Sequence, residues 1–403
     1  MEQPLEGIRV LECAIFHAGP GAGAIMGDLG AEVIKVEQPG VGDPIRQLNT
    51  IGSIHFQIEG GGNIFCEGAN RNKKSITVNL FSEKGQEIVY KLAEKSDVFL
   101  TNFRSQALEE MNITYHILKK INPEIIYASV TAFGDKGPEK NRGGFDYQGQ
   151  AKSGLMFSMG EEGMPPLTCQ FGIIDQATAF NASHQIMTAL FMRERSGKGQ
   201  EVKISLLGST MNMLYFNILS LLMGNIKIPR HKRDRENPLR NYYLCRDNRW
   251  LMMTLTPSER FWQPLCKAIE RPDIADDPRF STDEDRLANA KELVSILDKI
   301  FAGKSLDKWL KIFEKYDLFC CGVNSLEEVI NDPQVLENNY IVDFDHPVLG
   351  KIKIPGYPAS FSGSRVETKT AVPDLGEHTE EVLVKLGGFS LEEISKLRDE
   401  GVC

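Results

Sequence analysis

One aspartate in the sequence has neighbours that would suit a nucleophile. Asp175 follows Phe171-Gly172-Ile173-Ile174 and directly precedes a helical pattern that runs from Gln176 to Arg195. An aspartate at a helix start can act as an N-cap, accepting a backbone N–H near the positive end of the helix dipole. The same surroundings would keep the carboxylate ionised and direct it out of the helix, which suits attack on a carbonyl carbon. These residues alone allow both roles.

A glycine-rich loop near the N-terminus offers a second kind of chemistry. Gly19, Gly21 and Ala24 fit the G-x-G-x-x-A pattern of dinucleotide-binding proteins, and Glu37 stands where such proteins place a ribose-binding acid. Pro20 weakens this interpretation because it removes a backbone donor beside the pyrophosphate. We therefore favour a structural role, in which the glycines let a helix start close to a sheet.

The elements that must position these groups alternate between strand and helix. From Gly7 to Glu37 the pattern is strand, glycine-rich loop, helix and strand, and further strand and helix patterns follow as far as Val130. Such alternation predicts an α/β fold with a mostly parallel sheet covered by helices. An apolar run at Trp250 to Leu255, followed by helical sequence, predicts a smaller second domain.

Composition restricts the class of protein. The 403 residues are 41% hydrophobic and 25% charged, as in soluble globular proteins, and the length suggests two or three domains. The net charge of −9 argues against nucleic-acid binding. No apolar stretch has the length of a membrane span, no secretion signal stands at the N-terminus, and the eight cysteines form no C-x-x-C pair. We expect a cytoplasmic protein that binds no nucleic acid, membrane or metal.

Nine short motifs are spread along the chain. They are Gly19-Pro20, Gly30-Ala31-Glu32-Val33-Ile34-Lys35-Val36-Glu37, Gly42-Asp43-Pro44, Asn72-Lys73-Lys74-Ser75, Asn102-Phe103-Arg104, Gly144-Phe145-Asp146, Asp175, Gly197-Lys198-Gly199-Gln200 and Leu375-Gly376-Glu377-His378-Thr379. In this order they resemble family III CoA-transferases, the group that contains formyl-CoA transferase and carnitine CoA-transferase. The likeness covers nearly the whole chain, and nine ordered motifs are far more specific than any single one.

The resemblance implies a catalytic aspartate, and Asp175 is the position that matches it. In such enzymes the aspartate attacks an acyl-CoA thioester, and CoA reaches a free carboxylic acid through aspartyl anhydride and aspartyl-CoA thioester intermediates. Coenzyme A is then a substrate, and no permanently bound cofactor is implied. The positions that match CoA-binding residues are His17, Ala18, Lys73, Asn102, Phe103 and Arg104, and Asp146 matches a substrate-site residue. Further positive charge could come from Arg46, Arg71, Lys136 and Arg142.

Some positions depart from the formyl-CoA transferase pattern. His17 stands where that enzyme carries glutamine, and Glu110 where arginine is frequent. The region from Tyr242 to Trp262 lacks the run of glycines that forms a mobile active-site loop there. We therefore expect an acceptor acid other than oxalate.

Two other functions agree with parts of the sequence. The α-methylacyl-CoA racemases resemble the chain over a similar span, but they place an acid/base histidine at the position of Phe145, and phenylalanine cannot transfer a proton. A non-catalytic CoA- or dinucleotide-binding protein agrees with the composition, but it leaves the combination of Asp146 and Asp175 unexplained.

The resemblance also implies the domain organisation. It predicts a Rossmann-like large domain, assembled from N- and C-terminal parts of the chain, with a smaller α/β domain between them. We assign residues 1–225 to the N-terminal part, 226–330 to the small domain, and 331–403 to a segment that returns to the large domain. An interlocked homodimer is implied as well.

Overall fold

Thirteen strands and nineteen α-helices make up the described part of the chain, which a computed structural model gives for residues 2–59 and 62–403. The strands are β1 Arg9–Cys13, β2 Glu32–Glu37, β3 Thr50–Ile51, β4 Ile54–His55, β5 Lys73–Thr77, β6 Val98–Thr101, β7 Ile126–Thr131, β8 Gln200–Ser205, β9 Arg240–Leu244, β10 Trp250–Thr254, β11 Cys320–Val323, β12 Ile341–His346 and β13 Gly350–Pro355. The helices are α1 Ala18–Asp28, α2 Ile64–Asn70, α3 Glu83–Glu94, α4 Ser105–Glu110, α5 Tyr115–Ile121, α6 Asp146–Ser153, α7 Leu155–Ser158, α8 Ile173–Ser196, α9 Leu206–Met213, α10 Tyr215–Gly224, α11 Ser258–Ala268, α12 Pro272–Ala275, α13 Asp283–Ala288, α14 Ala290–Phe301, α15 Leu306–Glu314, α16 Leu326–Val329, α17 Pro333–Glu337, α18 Thr379–Val382 and α19 Leu391–Asp399.

A six-stranded parallel sheet carries the elements that matter for the site. Its order is β5-β2-β1-β6-β7-β8. The chain builds outward from β1 in one direction and from β6 in the other, so the strand order reverses between these two strands. Open α/β sheets bind ligands outside the carboxyl ends of their strands at such a point. The loops that leave β1 and β6 there carry His17 and Asn102.

Apolar strands hold this sheet between two layers of helix. Leu11 and Phe99 are fully buried in the core on one face, and Val10 and Leu100 are fully buried in the core on the other. Side chains alternate between the faces of a strand, so both faces of β1 and β6 must be covered, as is usual for parallel sheets. The prediction of an α/β fold with a mostly parallel sheet is confirmed.

Helix α1 packs closely against α8 because its residues are small. All eleven of its residues are buried. A Cβ atom at Gly21 would lie 3.0 Å from the Cβ atom of Ala179 on α8. A larger side chain would push the two helices apart, which agrees with the structural role favoured for the glycine-rich loop.

The chain forms two compact units. The first contains the chain up to Met156 together with Thr168–Asn225 and Asn338–Cys403, and the second contains Phe157–Leu167 and Ile226–Glu337. In the first unit, C-terminal residues bind beside β5. The His378 N–H donates to the Ser75 carbonyl (2.9 Å), and the Asn79 N–H donates to the Val402 carbonyl (2.7 Å).

The second unit has a core of its own. Its three-stranded antiparallel sheet has the order β11-β10-β9. Leu251 and Met253 from β10 are fully buried together with Phe301 and Trp309 from α14 and α15. The Trp309 indole N–H donates to the Phe301 carbonyl (2.9 Å), so the largest buried side chain has its polar group satisfied.

Over residues 2–59 and 62–403, no single helix is long and apolar enough to cross a membrane. Helices α9 and α10, which meet at an angle of 74°, satisfy the length and hydropathy criteria only as a bent pair.

Candidate active site

Asp175 lies in the first turn of α8, as its third residue. The N-cap is Gly172, and both Phe171 and Gly172 adopt left-handed backbone conformations, with φ of 52° and 68°. These two residues turn the chain into the helix earlier than the sequence indicated. Of the two roles that the sequence allows for Asp175, the N-cap role is therefore filled by Gly172, and the Asp175 side chain is not needed to satisfy the helix end.

The carboxylate of Asp146 satisfies that helix end instead. Asp146 is buried at the start of α6, and its Oδ2 accepts the backbone N–H groups of Ile174 (2.6 Å) and Asp175 (3.0 Å). Its Oδ1 accepts the side-chain amide of Gln150 (2.5 Å). Both oxygens are engaged within the protein, so Asp146 positions the helix that carries Asp175. Asp146, which the sequence motifs match to a substrate-site residue, has these protein groups as partners of its carboxylate.

Gln150 links Asp146 to the segment that precedes α8. Its Nε2 donates to the Cys169 carbonyl (2.9 Å), and its Oε1 accepts the Cys169 N–H (2.9 Å). Gln150 is fully buried. One side chain therefore fixes both the capping carboxylate and the chain leading to Phe171.

The environment of Asp175 raises the pKa of its carboxyl group to about 7, from a usual value of 3.8. Burial is the main cause and the nearby negative charge of Asp146 is the second. The sequence favours an ionised carboxylate at this helix start, whereas burial in the structure favours its neutral form. A carboxylate of raised pKa is more basic than an ordinary one, and perturbed groups of this kind cluster at functional sites.

His17 connects the two helix N-termini. It precedes α1, and its ring Nε2 donates to Oε1 of Gln176 on α8 (2.7 Å). Burial lowers the pKa of His17, and the positive charges of Arg71 and Lys73 lower it further. The His17 imidazole, whose partner Gln176 directly follows Asp175 on α8, is therefore neutral at physiological pH.

Two side chains hold the loop between β1 and α1. Asn102 pairs with both backbone groups of Ile15, accepting its N–H (2.9 Å) and donating to its carbonyl (2.6 Å). Asp43 accepts the N–H of Phe16 (3.0 Å), whose φ is 60°. Because the Asn102 amide is engaged in this way, Asn102 positions the loop. Ala18, the first residue of α1, is buried and contributes its backbone only.

Lys73 belongs to a buried ion cluster and not to an open surface. Its Nζ donates to both oxygens of Glu12 (2.9 and 2.7 Å) and to the Pro20 carbonyl (2.8 Å), and its side chain is fully buried. Lys35 binds the other side of Glu12 (3.1 Å) and also Asp43 (2.8 Å). Desolvation lowers the pKa of Lys73 to about 8. The ammonium group of Lys73, which the sequence motifs match to a CoA-binding residue, is therefore occupied by protein partners.

Arg104 remains the exposed cation of the Asn102-Phe103-Arg104 motif. Over residues 2–59 and 62–403, no carboxylate lies within 4.0 Å of its guanidinium. The guanidinium covers Gly143 so closely that a side chain at position 143 would clash with it. Phe103 is partly buried against the core. Two further candidates are paired internally, Arg46 with Glu37 and Arg71 with Asp28, and Arg142 pairs with Glu139.

Five phenylalanines lie around the start of α8, and we call them the aromatic wall: Phe16, Phe56, Phe65, Phe145 and Phe171. The rings of Phe16 and Phe145 meet edge to face at 5.5 Å between centroids, and those of Phe56 and Phe171 at 5.3 Å. Phe56 and Phe65 are 4.6 Å apart, and Phe16 and Phe65 pack on one small apolar cluster. The wall therefore links the loops of β1 and α6 to the turn before Asp175.

The residues considered for other cofactors are arranged for different roles. Glu37, the candidate ribose-binding acid, accepts two hydrogen bonds from Arg46 and one from Ser75, and these hold its pKa at about 2. Within the described residues, no group of three or more histidine, cysteine, aspartate or glutamate side chains is placed to hold a metal ion.

Comparison with known proteins decides the family. The sequence profile of CoA-transferase family III matches residues 5–379. The chain belongs to CoA-transferase family III. It is 35% identical to the succinyl-CoA:glutarate CoA-transferase of Mus musculus over 405 residues, which cover 99% of this chain and 90% of the relative. It is 32% identical to the (R)-2-hydroxy-4-methylpentanoate CoA-transferase of Clostridioides difficile, with 99% of both chains covered.

A solved structure agrees with this assignment. The crystal structure of a CAIB/BAIF family protein from Brucella suis matches this chain with a TM-score of 0.84 at 28% identity, covering 96% of this chain and 100% of that one. The family III CoA-transferase resemblance seen in the sequence motifs is confirmed, and the protein is a transferase of CoA. Its substrates are accordingly CoA thioesters.

Sequence reasoning did not identify three positioning residues of this CoA-transferase. Gln150 and Gln176 lie in ordinary helical sequence, and Asp43 lies in a Gly-Asp-Pro turn that was recognised only as a motif. The spacing of Asp146 and Gln150, four residues apart, was the available signal, because such residues meet on one helix face.

Proposed function

We propose that this enzyme moves CoA from an acyl-CoA thioester to a free carboxylic acid with Asp175 as the nucleophile. The observation that carries the proposal is a half-buried carboxylate of raised pKa at the start of a helix whose end is already capped by Asp146. Freed from capping, the Asp175 carboxylate is available for reaction. Near neutral pH a substantial fraction is ionised and can attack.

The exchange balances without a change in protons. A carboxylate oxygen of Asp175 attacks the thioester carbonyl carbon, the carbon–sulfur bond breaks, and a mixed anhydride and CoA thiolate form. The thiolate attacks the aspartyl carbonyl carbon, which releases the donor carboxylate and leaves an aspartyl-CoA thioester. The acceptor carboxylate then repeats both steps in reverse, which restores the Asp175 carboxylate and yields the new acyl-CoA.

The first turn of α1 is our candidate for stabilising the oxyanions in these steps. The first N–H groups of a helix have no intrahelical acceptor, and in α1 these include Ala18 and Gly19, whereas Pro20 has none. The N–H groups of Ile174 and Asp175 are taken by Asp146. A preorganised donor of this kind typically contributes about 3 kcal/mol to the transition state.

We place CoA at the carboxyl ends of β1 and β6. The strand order reverses there, the loops carry His17 and Asn102, and Arg104 supplies an exposed guanidinium for a phosphate. Phe103 follows Asn102 in the same loop. This retains the sequence-based placement of CoA, with the charge assigned to Arg104 in place of Lys73.

A second copy of the chain is the proposed partner. Helices α9 and α10 expose many large apolar side chains: Met211, Met213, Tyr215, Phe216, Leu221, Leu222 and Met223. Apolar patches of this kind mark association surfaces. They support the homodimer implied by the family motifs, with the interlocked arrangement as its specific form.

Trapping the covalent intermediate tests the mechanism. Enzyme incubated with acyl-CoA and hydroxylamine should lose activity and carry a hydroxamate on the peptide that contains Asp175, detected by mass spectrometry. Asp175→Ala should show neither labelling nor transfer. Labelling on another residue, or normal transfer by Asp175→Ala, would overturn the proposal.

A further inference from the structure

Exposed apolar side chains surround the nucleophile of this enzyme. Phe145 is 60% exposed, Phe171 39% and Ile173 45%, although each is large and apolar. Phe145 directly precedes Asp146, which binds the Asp175 N–H, and Phe171 lies one residue before the helix N-cap. We take these side chains as the lining that a group joined to the Asp175 carboxylate meets.

The backbone at Phe171 carries a cost that glycine would avoid. Its φ of 52° is left-handed, a conformation that is unfavourable for a residue with a Cβ atom. Phe171 nevertheless contacts the rings of Phe56 and Phe65, with centroids 5.3 and 6.5 Å away. The strained residue thus extends the aromatic wall to the nucleophile.

Positive charge is lacking at the same place. Over residues 2–59 and 62–403, no lysine, arginine or histidine nitrogen lies within 4.0 Å of the Asp175 carboxylate. Asp146 brings a negative charge, and His17 is neutral. A second carboxylate on a substrate would lose its hydration against phenylalanine rings and meet a like charge, and burying an unpaired charge is costly.

We propose that the acyl site accepts apolar monocarboxylic acids, aryl or alkyl, and discriminates against dicarboxylic acids, with Phe145 and Phe171 as the specificity-determining residues. This rests on the proposed function, because it assumes that the acid reacts at Asp175. The carboxyl group of the acid meets Asp175, and its apolar chain lies on the aromatic wall.

A matched pair of acids tests the discrimination. Hexanoate and adipate have the same six carbons and differ by a second carboxylate, and 3-phenylpropionate adds an aryl group. Each is offered as acceptor to the purified full-length enzyme with butyryl-CoA as donor, and new thioesters are measured by mass spectrometry. We expect kcat/KM for hexanoate and 3-phenylpropionate to exceed that for adipate at least tenfold. Equal or higher kcat/KM for adipate overturns the inference.

Variants locate the discrimination. Phe171→Ala and Phe145→Ala should each raise KM for 3-phenylpropionate about tenfold and leave KM for adipate within about twofold. Phe81→Ala is the control, since Phe81 is equally apolar and 62% exposed but lies after β5. Phe171→Arg should improve adipate relative to hexanoate at least tenfold. Unchanged acid preference in all three wall variants, each eluting like wild type in size exclusion, overturns the inference.

The outcomes separate the two proposals. Equal or higher kcat/KM for adipate than for hexanoate, with hydroxamate on Asp175, would keep the mechanism and overturn the acid class. Failure to label Asp175 with any acyl-CoA would overturn the mechanism, whatever the acid preference.

Discussion

Replacing Asp175 with asparagine should stabilise the fold while abolishing CoA transfer. The wild-type carboxyl group has a pKa of about 7 in the folded protein and an ordinary value near 3.8 when unfolded. The group therefore stabilises the fold fully below about pH 4, and this contribution is lost as the pH rises to about 7. Asparagine stays neutral at every pH, so the variant should not show that loss.

The size of the effect follows from the two pKa values. The difference between 3.8 and about 7 corresponds to at most ~4 kcal/mol. Asp175 keeps partial access to water, so we expect about 2 kcal/mol at pH 8. At pH 5 only part of this free-energy difference is present, so the stability that Asp175→Asn gains over wild type should be about half of that at pH 8.

Thermal unfolding of wild type and Asp175→Asn at pH 5 and pH 8 measures this difference. Glu194→Gln is the control, because it removes one negative charge from an exposed position on the same helix. Transfer activity of Asp175→Asn should fall at least about a thousandfold, since an amide cannot replace the nucleophile. If the two proteins show the same pH dependence of stability, or if Glu194→Gln reproduces the gain, the assigned environment of Asp175 is wrong.

Further predictions concern the groups around Asp175. Wild-type kcat/KM should rise with pH and level off above about pH 7, because the ionised carboxylate is the reactive form; a flat profile from pH 5 to 9 would contradict this. Asp146→Ala removes the acceptor of two helix N–H groups and should lower unfolding free energy by about 1–3 kcal/mol in chemical denaturation, together with kcat; unchanged stability would refute the capping role. Arg104→Met should raise KM for acyl-CoA about tenfold without changing the melting temperature. Lys73→Met should instead destabilise the fold by roughly 3–5 kcal/mol. A raised KM for acyl-CoA with unchanged stability in this variant would show that Lys73 binds CoA. In deuterated water, (R)-2-methylacyl-CoA should gain no α-deuterium, and rapid incorporation would favour racemase activity.

Local patterns in the sequence predicted the sheet well. The strand, glycine-rich loop, helix and strand expected from Gly7 to Glu37 are β1, α1 and β2 with the loop before α1, and the strand and helix patterns expected as far as Val130 include α3. These elements follow from residue spacing and from the Ser82 cap, which lies next to the helix it stabilises. Such signals are contained within a few residues.

The side-chain environments that the sequence did not predict depend on contacts between distant residues. Lys73 resembles a surface cation in sequence, but its partner Glu12 lies 61 residues earlier. The backbone N–H groups at the start of α8 are bound by Asp146, which lies 29 residues before Asp175. The raised pKa of Asp175 depends on burial and on that same neighbour. A sequence pattern carries no distance between such positions, so it identified the residue types but not the roles.

The side chains that hold the two loops at this site bind main-chain atoms. Asn102 and Asp43 bind the backbone of Ile15 and Phe16, and Gln150 binds the backbone of Cys169. Bonds to peptide groups place no requirement on the side chains that the loops present. The phenylalanines of the lining can therefore be exchanged during evolution or by design while the frame around the nucleophile keeps its geometry. A new acid preference should then be accessible through lining substitutions alone.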